Sequence, residues 1–159
     1  MTEYLKVLNE KETEKILSQL KEQFEIKEIP GRLVMRGADR IFLFTGKISN
    51  KGIADLEKKV PIERAGVYFA KWENEQVRLS IEGTQILGEQ IKKNRFNLET
   101  EEQVETWMSG QELLIQTGLK GIVAMKYKEH FLGCGKASEN KISNFIPKNR
   151  RLKLKTTII

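Results

Sequence analysis

The last quarter of the chain, Gly121 to Lys155, limits the possible folds most. It reads GIVAMKYKEHFLGCGKASENKISNFIPKNRRLKLK. Short apolar runs alternate with turn residues, which is the spacing of strands and hairpins. It predicts strands at Ile122–Tyr127, Phe131–Ala137, Lys141–Ile146 and Leu152–Ile158, with turns at Lys128–His130, Ser138–Asn140 and Pro147–Asn149. If the apolar positions build a sheet, the interleaved Lys and Arg must stand on its outer face or in its turns. A small β-structure with one basic face is a seat for a polyanion.

The charge distribution sharpens this. The net charge is +6, yet residues 119–159 hold 10 Lys/Arg against 2 Asp/Glu, residues 76–118 hold 4 against 7, and the first 75 residues nearly balance. Clustering of this kind is the footprint of a nucleic-acid surface; it is also what a solvated face looks like when it only keeps a protein soluble. Charge alone leaves both readings open. At 159 residues the chain holds one ordinary domain or two small ones. No run approaches the roughly 20 apolar residues of a membrane span, and MTEYLKVLNEKE lacks the apolar region of a secretory signal. The single cysteine, Cys134, cannot close an internal disulfide, which fits a reducing cytoplasm. One His and one Cys give no basis for a zinc site, and no metal or cofactor is expected.

Upstream, Asn9 with Glu12 has capping-box spacing, and Ile16, Leu17, Leu20 and Phe24 form one helical stripe. After Pro30-Gly31, Leu33–Met35 and Ile41–Phe44 read as a hairpin. Ser49 opens a second helix carrying Ile53, Leu56 and Val60, which Pro61 ends. Ala65–Trp72 reads as a strand; Val77, Leu79 and Ile81 alternate with Arg78 and Ser80 on its partner, and Ile86 and Leu87 continue the apolar run. The pattern resets at Lys92-Lys93-Asn94. Phe96 and Leu98 then begin a strand, Thr100 and Gln103 cap a helix with Val104, Trp107 and Met108, Gly110 is its C′ residue, and Leu113–Ile115 form a buried run.

Five groups of residues carry candidate chemistry. Tyr127, Phe131 and Phe145 lie among the cations and would stack bases if they faced outward; the alternation around Phe131 and Phe145 favours core. Lys148-Asn149-Arg150-Arg151 is the densest cationic stretch, and Arg forks onto phosphate. Cys134 between Gly133 and Gly135 invites a reactive-thiol reading. His130, however, lies about 13 Å away along an extended strand, so a buried structural thiol fits better, with the glycines admitting a bend or a neighbouring backbone. Glu99, Glu101, Glu102 and Glu105 crowd a helix start, where the helix dipole is sufficient reason for them. Glu63-Arg64 reads as a surface ion pair.

With these residues in place, the strand–helix–strand unit followed by GIVAMKY and FLGCGKASENKISNFIPKNRRL resembles a PUA domain, the small RNA-binding pseudo-barrel. ERAGVYF (Glu63 to Phe69), VRLSIEG (Val77 to Gly83) and His130 to Leu152 are similar to the C-terminal extension of Sun/Fmu-type RNA cytosine-5 methyltransferases, a likeness spanning Pro61 to Leu152. The resemblance implies an α+β protein: an N-terminal α/β, pre-PUA-like module over residues 1–91 packed against a PUA-like β pseudo-barrel over 92–159. It implies binding of structured rRNA or tRNA through Gly118, Lys120, Gly121, Lys126, Lys128, Lys148, Arg150, Arg151 and Lys153, with backbone amides around Gly118 and Gly121 approaching the RNA. Work in ribosome biogenesis, rRNA processing or RNA modification follows, with an RNA-modifying enzyme or pre-ribosomal particle as partner and no membrane. The methyltransferases use a Gly-rich S-adenosylmethionine loop and two cysteines, one after a proline. Here the one cysteine follows Gly133, so the expectation is a non-catalytic chain. The alternative is a scaffold whose basic face docks an acidic protein, such as a methyltransferase lacking this extension.

Overall fold

The computed structural model describes residues 5–45, 49–52 and 66–152. Its elements form two sheets. The first is antiparallel, in the order β1 (Leu5–Val7), β2 (Arg32–Arg36), β3 (Arg40–Phe44), β4 (Val67–Glu73), β5 (Gln76–Leu79). The second runs β6 (Arg95–Leu98), β7 (Gly121–Tyr127), β8 (His130–Ala137), β9 (Ile142–Asn144). Within it β6 and β7 are parallel and the other pairs antiparallel. The parallel pair needs a crossover, which α3 (Glu101–Met108) and the chain after it supply. Among the described residues this second sheet is open.

Helix α1 (Glu10–Phe24) starts where the sequence places it. Asn9 Oδ1 accepts from the Glu12 amide at 2.8 Å, and Glu12 Oε1 accepts from the Asn9 amide at 3.2 Å. Its stripe of Ile16, Leu20 and Phe24 is buried against Leu33, Ile41, Leu43 and Phe69 of the first sheet. The buried Gln23 does something a stripe argument does not anticipate. Its Nε2 donates to the Val77 carbonyl and its Oε1 accepts from the Val77 amide, each at 2.8 Å. One side chain thus covers both outward backbone groups of Val77 on β5, an edge strand.

The apolar run after β5 is a helix, α2 (Ile81–Leu87), and not a continuation of the strand. Ser80 is the reason: its Oγ accepts from the Gly83 amide at 2.9 Å, an N-cap that stops the ladder. Helix α2 joins the two sheets. A Cβ on Gly83 would lie 2.2 Å from the Phe69 carbonyl oxygen of β4, so only glycine allows that approach. On the other side, Thr84 Oγ1 accepts from the Gly133 amide of β8 at 3.0 Å. Gly133, at φ 83°, occupies the irregularity where β8 places an extra residue opposite β7, a bulge that needs a left-handed conformation.

One core runs through the junction, from Leu79, Leu87 and Ile91 to Ala124, Phe131 and Cys134. A second lies beneath α3, with Trp107, Val123, Met125 and Ile142. Gly135 makes room for the Trp107 ring: a Cβ there would stand 2.6 Å from its outer edge. The segment around Lys92-Lys93-Asn94 is stitched down. The Lys92 amide donates to the Phe24 carbonyl at 3.0 Å, Asn94 Nδ2 to the Gln23 carbonyl at 2.6 Å, and the Asn94 carbonyl accepts from the Ala124 amide at 2.8 Å.

Several local expectations change. Leu113 is buried and bridges Ile142, but Leu114 is 84% exposed, so no continuous buried run exists there. Thr100 Oγ1 accepts from the Gln103 amide as expected, while the Gln103 side chain turns to the Glu99 amide instead of closing the box on Thr100. The third expected strand of the tail shortens to Ile142–Asn144. Leu152, where a fourth was expected to begin, is non-strand chain, its amide donating to the Met108 carbonyl at 2.8 Å. The remainder of that strand, the Ile53–Val60 helix core and Glu63-Arg64 lie outside the described residues. Ser49 does cap at the edge of its segment, Oγ accepting from the Gly52 amide at 3.0 Å.

Candidate nucleic-acid interface

Strand β7 carries two groups of expected contact residues at its two ends. At one end Gly118 (φ 77°) and Gly121 (φ 82°) bracket the exposed Lys120. A Cβ on either glycine would meet nothing within 4 Å, so these glycines serve backbone conformation and face open solvent. At the other end lie Lys126 and Lys128. A strand rises about 3.3 Å per residue, so the two ends are roughly 20 Å apart. Lys126 Nζ sits 5.3 Å from the Phe131 ring centroid and Lys128 Nζ 5.2 Å from that of Tyr127, contacts that steady an ammonium without neutralising it. Phe131 itself is core, as its alternation indicates, and Tyr127 is half-buried against the second core. Among the described residues no ion pair involves Lys120, Lys126, Lys128 or Lys148.

The two arginines of the NRR run diverge. Arg150 ends a short 3-10 turn, Lys148–Arg150, and its Nη1 meets the Glu82 carboxylate at the start of α2. Arg151 turns the other way. Its Nε donates to the Ile146 carbonyl at 3.0 Å, and its side chain lies where a Cβ on Gly110 would be, just past α3. Both guanidinium groups therefore have partners inside the protein. Lys153 lies outside the described residues.

Between these elements lies a cleft of about 370 Å³, bounded by β4, β5, the start of α2, β8 and the chain after β9. Arg78 of β5 places its guanidinium 4.1 Å from the Phe145 ring centroid, and its Nη1 lies 3.4 Å from Glu73 Oε2. Tyr68 and Asn149 also line the walls, and Arg150 stands at the rim. Burial raises the Tyr68 phenol above its ordinary pKa, partly offset by the charge of Arg78. Phe145 belongs to neither core and is half-buried, contrary to the core position that its apolar neighbours suggest. The strand stops at Asn144, and alternation stops predicting sides there. Arg78, Glu82 and Tyr68 escape sequence reasoning as site residues. Arg78 alternates with buried Val77 and Leu79, which marks it as outward-facing, but nothing local says that Phe145 comes to meet it.

Cys134 lies at the floor of the cleft, 2% exposed. Burial pushes its thiol up to about 12, against smaller opposing effects of a Leu79 backbone hydrogen bond and the Arg78 charge. A nucleophilic thiolate needs the opposite shift. His130 lies exposed at the start of β8. Glu101 and Glu102 stand in the first turn of α3, and no acid, His or Cys cluster among the described residues has the makings of a metal site. No helix among them is long and apolar enough to cross a membrane.

Comparison with known proteins bears on the second sheet. Residues 93–152, from the approach to β6 through the Lys148–Arg150 turn, match the family described as the methyltransferase RsmF PUA domain. The chain is also similar to the ribosomal RNA small subunit methyltransferase F of Psychromonas ingrahamii, 26% identical over 132 residues. That alignment takes in 79% of this chain but 26% of the relative, so the chain spans about a quarter of the enzyme it resembles. Over residues 93–152, then, the chain matches the PUA domain of RsmF-type methyltransferases, and the basic ends of β7 and the turn after β9 lie within the matched residues.

Proposed function

We propose that this chain binds structured rRNA or tRNA through the cationic surface of its PUA-type region and does no chemistry of its own, serving ribosome biogenesis or RNA modification by positioning RNA for a separate enzyme. In this reading residues 92–159 form a PUA-like pseudo-barrel, of which the second sheet is the described part, and residues 1–91 a pre-PUA-like companion. The observation that carries the proposal is that Lys120, Lys126, Lys128 and Lys148, all within the matched region, keep their charge free of ion pairs among the described residues. Unneutralised cations release counterions on meeting phosphate, and that release drives RNA affinity. Ultraviolet crosslinking in cells followed by sequencing tests it. Enrichment of structured rRNA or tRNA supports the reading. Recovery of an acidic protein and no RNA overturns it in favour of a scaffold.

A further inference from the structure

The basic ends of β7 account for phosphate contact, but the cleft between the sheets has a different chemistry. It combines an aromatic ring, a guanidinium stacked on that ring and a second guanidinium held by an acid. We propose that this cleft is a nucleotide slot, taking one unpaired nucleotide of the bound RNA with its base against Phe145 and Arg78 and its phosphate on Arg150. The proposal rests on the RNA-binding reading and adds to it a specific place for a single base.

Three features support it. Phe145 is the aromatic of the cationic tail that lies outside both cores, and Arg78 at 4.1 Å holds its ring in place. Aromatic rings and Arg planes are the surfaces on which unstacked bases settle. The cleft, at about 370 Å³, falls at the small-ligand end of the usual range for binding sites. Finally, the Arg150–Glu82 pair is partly open to solvent, with side-chain exposures of 45% and 30%. Partly exposed pairs are weak, so a phosphate can compete for Arg150. Glu82 then acts as a latch: it occupies Arg150 when the slot is empty and opposes the incoming phosphate.

The latch gives the test its sign. A single-stranded RNA segment flanked by a hairpin is made with 2-aminopurine at one position at a time, and binding is followed for wild type, Glu82→Gln and Phe145→Leu. In wild type one position, and not its neighbours, should show quenching by stacking. Phe145→Leu should abolish that signal and weaken binding by between about 5- and 150-fold, the range of one base–aromatic stack, without changing the salt slope. Glu82→Gln, which alters only a partly exposed pair, should strengthen binding several-fold. Uniform quenching at all positions, or a Glu82→Gln protein that binds no better than wild type, overturns the slot while leaving salt-dependent RNA binding intact. Wild-type protein that binds none of these RNAs at low salt overturns the RNA reading itself.

Discussion

Gln23 offers the sharpest stability prediction, because one side chain satisfies two backbone groups that have nowhere else to turn. Val77 is fully buried, and both its amide and its carbonyl bond to the Gln23 carboxamide at 2.8 Å. Gln23→Ala orphans both. A buried polar group left without a partner costs about 1–3 kcal/mol. Water entering the space left by the side chain recovers some of that, so the expected loss is about 2–4 kcal/mol. For a chain of this size each kcal/mol moves the midpoint by about 2–4 °C, which gives a drop of roughly 4–16 °C. Urea denaturation followed by circular dichroism measures the free-energy loss, and a thermal melt the shift in midpoint. Gln19→Ala is the control, because Gln19 only donates to Gln23 Oε1, at 2.9 Å, and its loss should cost less than about 0.5 kcal/mol. If Gln23→Ala falls within that same margin, the idea that this side chain completes the β5 edge is wrong. The effect should reach the cleft as well, since β5 carries Arg78 next to Val77.

Other perturbations follow from the same packing. Gly135→Ala should cost about 1–3 kcal/mol and disturb the near-ultraviolet dichroism of Trp107, whose ring lies where the new methyl would go and whose Nε1 donates to the Leu132 carbonyl at 2.9 Å. Cys134 should resist iodoacetamide in the native protein and react fully in denaturant. Its folded thiol titrates near 12 against an ordinary value of 9.0, so the unfolded chain loses that proton first as pH rises. Its contribution to stability is therefore complete below about pH 9 and declines between 9 and 12. A Cys134→Ala protein should show a flatter decline over that window in denaturation measured across pH.

What the sequence discloses is mostly what neighbouring residues decide among themselves. Helix α1 is legible because Asn9, Glu12 and the Ile16–Leu20–Phe24 stripe all lie within it, and the β2–β3 hairpin because its strands and turn are contiguous. Helix α2 is not. Ile81, Ile86 and Leu87 fit neither period well, and the alternation of Val77 with Leu79 carries the eye past the Ser80 cap. Composition and spacing show a strand interleaved with lysines at Ile122–Tyr127, while the resemblance is what singles out the two ends of β7 as contact sites, and neither foretells the fate of Arg150 and Arg151. Glu82 and the Ile146 carbonyl claim them through folding that no window of sequence contains. The same holds for the cleft. Arg78 and Phe145 are far apart in the chain, and they meet because α2 and the core beside it hold the two sheets together.

In the proposed function, lysines within the residues matched to the PUA domain grip RNA phosphates. The most direct measurement is the equilibrium affinity for a structured rRNA or tRNA fragment across a series of salt concentrations, for wild type and for Lys126→Ala/Lys128→Ala. Log affinity should fall along a straight line against log salt, with a slope about two units shallower in the double variant and the fold unchanged. An identical slope for the two proteins, or no binding at low salt, would contradict it.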